Sequence, residues 1–480
     1  MSPRLQRLAP FALILAVWLC LCAGVLRDWR LNSDEGFYLA ASRAAGQGLL
    51  PYRDYAYTQM PLLPLIQAPF FRMLPASLQG VRMLSLLWTT FSLGVAYAIL
   101  RTSLGPLRAC ACLAVFLLCT ETLGNLSIGK TYALAHLFLL AAAFALYSGR
   151  PWRERLVLLS LSGVLSVGVR LTLAPSVLVL WAGFWILNRR EAKVVWMIGV
   201  PAALALALIG PFAAADPQRF LFFNWGFHTF SFVPRHPSGF WPSALAYLPG
   251  PAVVGALATA ALRRPTPAAV LLVAAAVGIG ANLAFAGAYL EYLTPFILPL
   301  LVGAAGVLAQ GPPRLELVAY GCGIVLGSML LRVPDRSGCV ADARGASDFL
   351  RSHTAPGTPV LASMPEIPVE AGRPVFRNLL MGKFTVTGDL PESLAKRYGF
   401  IPIGDLIHCL ELRLPGAVVL SASPAGNFST SYPSELRFAA IRGRMMAAMA
   451  AGYSLAYSNA TYAVLLQSEA GRPPVPLAGL

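Results

Sequence analysis

LAPFALILAVWLCLCAGVL (residues 8–26), followed by RDWRLNSDEGFYLA (residues 27–40), decides the reading of this chain. The first stretch is 19 residues without a charge, long enough to cross a bilayer as a helix. Arg4 and Arg7 precede it, so basic-residue sorting places the N-terminus in the cytoplasm and delivers the second stretch to the outer face. Asp34 and Glu35 then stand within a few residues of the lipid surface. The apolar stretch lacks a small-x-small cleavage pattern before polar sequence, so it reads as a retained anchor and not a removed signal peptide.

The rest of the chain repeats that pattern. Mean hydropathy is +0.65 and only 12% of residues are charged, far from a soluble protein. Apolar runs lie at roughly 8–26, 81–100, 107–124, 131–148, 156–170, 172–188, 194–214, 244–262, 268–287, 291–310 and 315–332. They predict a polytopic α-helical membrane protein of about 11 transmembrane helices with the C-terminus outside. The stretch 156–187 is read as two short helices because Arg170 and Pro175 interrupt it; one long helix would invert everything downstream. The formal charge of +16 suggests nucleic acid until its location is examined. Up to Arg332 there are 24 Lys and Arg against 10 Asp and Glu; beyond it the balance is 13 against 11. Much of the surplus falls in the short loops assigned to the cytoplasm, such as Arg150, Arg153, Arg155, Arg189, Arg190 and Lys193. Positive-inside sorting explains it, and no nucleic-acid partner is expected.

Two domains follow: a transmembrane domain over 1–332, with a first outer loop at 27–80, and an extracytoplasmic domain over 333–480. In the first loop, Asn32 to Glu35 reads as a helix start, with Asn32 as N-cap and a stop at Gly46-Gln47-Gly48. Residues 61–75 are apolar but too short to span, so an interfacial helix is expected. A second outer segment, 215–243, is rich in Phe, Trp, Pro and His. In the tail, 359–362 and 417–420 read as strands, 454–458 and 461–466 as a hairpin, and 435–451 as a helix, giving a small α/β domain. Most cysteines (Cys20, Cys22, Cys110, Cys112, Cys119 and Cys322) lie in or beside apolar spans as small buried side chains. Cys339 and Cys409 lie in the tail, in an oxidising compartment, and their pairing stays open. No zinc-type spacing occurs, and His228 and His236 lack paired carboxylates. No metal ligands are therefore assigned, and dependence on a divalent metal is left open.

Asp34 and Glu35 have a structural explanation: carboxylates in a first helical turn satisfy amide donors and the helix dipole. They also suit general-base chemistry on a lipid-borne substrate, since an interfacial carboxylate can deprotonate an acceptor hydroxyl or amine. Asn32-Ser-Asp-Glu-Gly-Phe-Tyr-Leu-Ala40, Gly48-Leu-Leu-Pro-Tyr-Arg-Asp-Tyr55 and Met60-Pro61-Leu62 resemble the first outer loop of the GT-C glycosyltransferases, of the protein O-mannosyltransferase and aminoarabinose lipid A transferase type. That resemblance implies a polyprenyl-phosphate sugar as donor, an extracytoplasmic lipid, glycan or protein as acceptor, and inversion at the sugar. It implies Asp34 as the catalytic carboxylate, with Glu35 beside it and Asp54 as the second acidic candidate. Many relatives carry a Lys before Pro-Pro-Leu that helps bind the donor phosphate; here Gln59-Met60 stand there.

Other cations must then meet a phosphate, and Arg53, Arg82, Lys130 and Arg170 are the candidates, with Arg43 comparable. Tyr292, beside Glu291 at the start of the tenth span, is a further substrate contact implied by the resemblance. Aromatic-belt anchoring is its alternative. Tyr38, Tyr52, Tyr55 and Tyr57 either stack on sugar or isoprenoid or anchor the loop. The competing functional class is a secondary transporter or lipid-linked sugar flippase, which would place ionisable groups at mid-membrane in repeated halves; no repeat is visible. A catalytically dead scaffold of the same fold is the third reading. The expected setting is the inner membrane of a bacterium.

Overall fold

The computed structural model describes residues 3–28, 31–32, 34–230, 265–285, 290–309, 340–387, 391–421 and 435–468. The chain divides into two compact units. One comprises Met1–Val25, Met83–Pro211 and Val233–Val333; the other comprises Leu26–Arg82, Phe212–Phe232 and Pro334–Leu480.

The first unit is helical. Its helices are most of α1 (Pro3–Asp28) and of α4 (Leu78–Leu104), whose ends Leu26–Asp28 and Leu78–Arg82 belong to the second unit, with α5 (Pro106–Leu117), α6 (Thr120–Ser127), α7 (Tyr132–Tyr147), α8 (Trp152–Val169), α9 (Ala174–Asn188), α10 (Val194–Leu208), α11 (Pro267–Phe285) and α12 (Thr294–Leu308). Nine of the eleven expected spans fall on helices; 244–262 and 315–332 lie outside the described residues. Four segments are long and apolar enough to cross a membrane: Leu78–Leu104, Leu171–Asn188, Pro267–Ala284 and Glu291–Leu308. Arg170 is extended (φ −150°) and Pro175 opens α9, so 156–187 is two helices, as its interruptions require. The 107–124 run is also broken, between α5 and α6.

Side-chain hydroxyls tie these helices where no water can. Ser166 Oγ donates to Ala135 O at 2.9 Å, Ser176 Oγ to Ala274 O at 2.7 Å, and Thr89 Oγ1 to Leu126 O at 3.0 Å. On α10 only Met197 is buried, while Val194, Val195, Trp196, Ile198 and Leu206 are exposed. An outward apolar face of that kind is the surface hydrocarbon covers, as an integral membrane protein requires.

The second unit is α/β. In its first-loop part, α2 (Glu35–Gly46) packs on α3 (Leu62–Met73), the helix expected at the interface, and the buried Ser42 donates to Gln67 at 2.5 Å. Its tail part holds β1 (Val360–Ala362), β2 (Val386–Thr387), β3 (Ile401–Pro402), β4 (Ala417–Ser421), β5 (Tyr453–Ser458) and β6 (Tyr462–Gln467). The main sheet has the order β1-β4-β6-β5, parallel at β1·β4 (Leu361 opposite Val418) and antiparallel at β4·β6 (Val419 opposite Val464). Strand β4 is buried at every position, so it reads as a continuous apolar run. The tail helices are α13 (Val340–His353), α14 (Glu366–Glu370), α15 (Glu392–Tyr398), α16 (Ile403–Glu411) and α17 (Glu435–Gly452).

Of the tail expectations, β1, β4, the β5–β6 hairpin and α17 all form. The parallel β2·β3 pair, two residues per strand, was not anticipated. The helical run from Gly210 to Phe230 also belongs largely to this unit. Phe222 stacks on Tyr398 with ring centroids 3.8 Å apart, and Asn224 Nδ2 donates to Tyr52 OH at 3.0 Å. Cys409 is buried; Cys339, Cys322 and His236 lie outside the described residues.

Candidate functional site

The start of α2 is built by a reciprocal cap. Asn32 Oδ1 accepts from Asp34 N at 3.0 Å, and Glu35 Oε1 accepts from Asn32 N at 3.1 Å. The helix begins two residues later than the sequence pattern predicts, with Asp34 and not Asn32 at the N-cap position, because Asn32 closes a preceding turn through Glu35 N. Glu35 is fully enclosed, and Arg82, itself fully enclosed, grips it with two bonds: Nε to Oε2 at 2.8 Å and Nη2 to Oε1 at 2.6 Å. Arg82 is expected among the phosphate-binding cations; in the structure its Nε and Nη2 bond Glu35. The Asp34 side chain is part-exposed beside this brace.

The tail adds groups that no local motif announced. Glu366, at the start of α14, lies directly on Gly36: a Cβ there would stand 1.8 Å from Glu366 Oε2, so only glycine fits. Tyr462 OH donates to Glu366 Oε1 at 2.9 Å, and among the described residues Oε2 has no hydrogen-bond partner. Burial pushes this carboxyl up to about 7, with smaller upward contributions from Glu370 and Glu35. Lys383 is half-buried within electrostatic reach of both Asp34 and Glu366; burial holds it below the usual lysine range, and the two carboxylates oppose that. Helix α14 is clamped to the first loop at its other end too. Arg43 Nη1 donates to Val369 O at 2.9 Å, and Glu370 Oε1 accepts from Leu78 N at 2.5 Å.

Asp54 sits in the turn that follows α2. It accepts from Leu50 N at 2.7 Å and pairs with Arg53 at 2.8 Å, and that hydrogen bond holds its carboxyl below the usual range. The pair therefore closes its own loop, in which Tyr52 takes φ +67°. The four loop tyrosines are buried and act as anchors: Tyr52 OH donates to Gln59 O at 2.5 Å and Tyr55 OH to Ala41 O at 3.2 Å, while Tyr38 and Tyr57 pack around Phe37. His228 Nε2 bonds Thr58 O at 2.9 Å.

The remaining candidates gather within the first unit. Lys130 Nζ pairs with Glu291 Oε1 at 2.9 Å. The Arg170 guanidinium lies between two rings, 4.5 Å from the centre of Tyr132 and 4.7 Å from that of Tyr292, and donates to Thr131 Oγ1 at 2.9 Å. Lys130 and Arg170 are both nearly enclosed, where an unpaired cation is costly. Among the described residues no three His, Cys, Asp or Glu side chains converge as a metal site.

No protein-family model matches the chain, and no curated protein sequence matches it. Its fold does have solved counterparts. A crystal structure of ArnT from Cupriavidus metallidurans bound to undecaprenyl phosphate superposes with a TM-score of 0.66 at 13% identity, covering 96% of this chain and 99% of that one. The apo form of the same protein gives 0.64 at 13% identity, with 95% and 97% covered. The chain thus shares this fold over nearly its whole length, and the resemblance read from residues 32–62 holds at the level of architecture.

Breaking a buried ion pair strands a charge, at a cost of about 3–5 kcal/mol. Arg82→Met should lower stability by that order in denaturant titration, and adding Glu35→Gln should recover part of the loss. Glu366 titrates near 7 folded and near 4.5 unfolded, so the unfolded state releases its proton first. Its contribution is fully present below pH 4.5 and lost as pH rises towards 7. Glu366→Gln should flatten the fall in melting temperature across that window.

Proposed function

We propose that this protein is a membrane glycosyltransferase that moves a sugar from a polyprenyl-phosphate donor to an extracytoplasmic acceptor, with inversion. The observation that carries the reading is Asp34, fixed at the start of α2 by the enclosed Glu35–Arg82 pair, in a fold shared with a structure holding undecaprenyl phosphate. Asp34 takes the proton from the acceptor hydroxyl or amine. The acceptor atom attacks the anomeric carbon as the bond from that carbon to the phosphate oxygen breaks, and the electron pair leaves with the phosphate. The leaving group needs no proton, because phosphate departs as an anion that cations stabilise.

Glu35 and Arg82 act in this scheme as positioning residues. Lys130 and Arg170, with Tyr292, are assigned to donor binding, because enclosed cations beside part-open polar groups are suited to an anionic headgroup. Asp54, with Arg53, maintains the loop that follows α2. The second unit is placed outside the membrane and the N-terminus in the cytoplasm, on the basic-residue asymmetry of the loops.

Incubation of the purified protein with an undecaprenyl-phosphate-linked sugar and an envelope-lipid acceptor fraction should release undecaprenyl phosphate. Asp34→Asn should reduce turnover at least ~100-fold with melting temperature unchanged. Full activity in that variant would remove Asp34 from the mechanism.

A further inference from the structure

Lys383 is presented by a rigid turn. Its backbone N donates to Ser363 O at 3.1 Å, and Thr385 Oγ1 closes the turn on Gly382 O at 2.6 Å. Gly382 has φ +54°, and a Cβ there would stand 2.2 Å from Ser363 O, so the turn tolerates glycine alone. The segment that receives these contacts, 363–366, lays Glu366 on Gly36, two residues from Asp34. One short segment therefore brings the lysine turn and the start of α2 together.

Five arginines of this unit are occupied. Arg82 holds Glu35, Arg53 holds Asp54, Arg43 caps α14, Arg219 donates to Arg53 O, and Arg373 donates to Arg351 O and Thr354 O. Among the described residues Lys383 Nζ makes no hydrogen bond or ion pair; it lies 5.3 Å from the centre of the Phe384 ring, with Asp34 and Glu366 within electrostatic reach. A half-buried ammonium with no direct partner has lost hydration without replacement, which an incoming anion would supply. The position where the resembling enzymes carry a phosphate-binding lysine holds Gln59 here, a half-buried neutral side chain.

We propose that Lys383, delivered from the C-terminal part of the chain, binds the phosphate of the polyprenyl carrier beside Asp34. This deepens the transferase reading and rests on it. A lysine is a compact point charge suited to a phosphate oxygen, and it would stabilise the charge that develops as the sugar–phosphate bond breaks.

The test is equilibrium binding of undecaprenyl phosphate and of undecaprenol to the full chain in nanodiscs, for wild type, Lys383→Met and Lys383→Arg. Wild type should prefer the phosphate form by ~10-fold or more. Lys383→Met should lower that ratio at least ~3-fold with undecaprenol affinity unchanged, the remainder being left to Lys130 and Arg170, and Lys383→Arg should keep most of it. A Lys383→Met variant with the wild-type ratio overturns the assignment and leaves the transferase reading intact. A wild type indifferent to the phosphate overturns both. If Lys383→Met also loses undecaprenol, Lys383→Gln carries the same comparison.

Discussion

The enclosed Glu35–Arg82 pair is the constraint on which the rest of the site depends. A carboxylate and a guanidinium removed from water lose several kcal/mol of solvation each, and the loss is met only by good geometry and full hydrogen bonding. The geometry is good: Arg82 donates two bonds, and Glu35 also accepts from Asn32 N. Because Arg82 belongs to α4 and Glu35 opens α2, the pair locks the start of the loop helix to the start of the second long apolar helix. Asp34, the adjacent residue, inherits that fixity while its own side chain stays part-exposed.

A second constraint comes from the tail. Helix α14 is held at one end by Glu366 on Gly36 and at the other by Arg43 and by Glu370. The first outer loop and the C-terminal part of the chain therefore belong to one compact unit. Glu366 is the tense point of that unit, a buried carboxyl with one oxygen satisfied by Tyr462 and the other against a glycine.

Much of this was legible in the sequence where the signal is local. Apolar runs marked the helices, the Arg170 and Pro175 interruption marked the break between α8 and α9, and alternating residues about Asn459 marked the β5–β6 hairpin. The reciprocal cap at Asn32 and Glu35 was visible too, displaced by a turn that only the backbone reveals. What escaped depends on partners far away in the chain. Nothing near Arg82 says that its guanidinium turns to Glu35, and Gly382-Lys383 carries no motif. The tyrosines of the first loop looked equally suited to ligand and to anchoring, and burial decided for anchoring. Strands β2 and β3 are too short to leave any periodicity.

We propose that Arg82 serves Glu35, and through it Asp34, and not the donor phosphate. Turnover and donor affinity measured together in Arg82→Met, with an undecaprenyl-phosphate-linked sugar, test it most directly. In that variant kcat should fall steeply while the dissociation constant for undecaprenyl phosphate stays within about twofold of wild type. A variant that keeps kcat and loses lipid-phosphate affinity would contradict it, and would return Arg82 to the substrate.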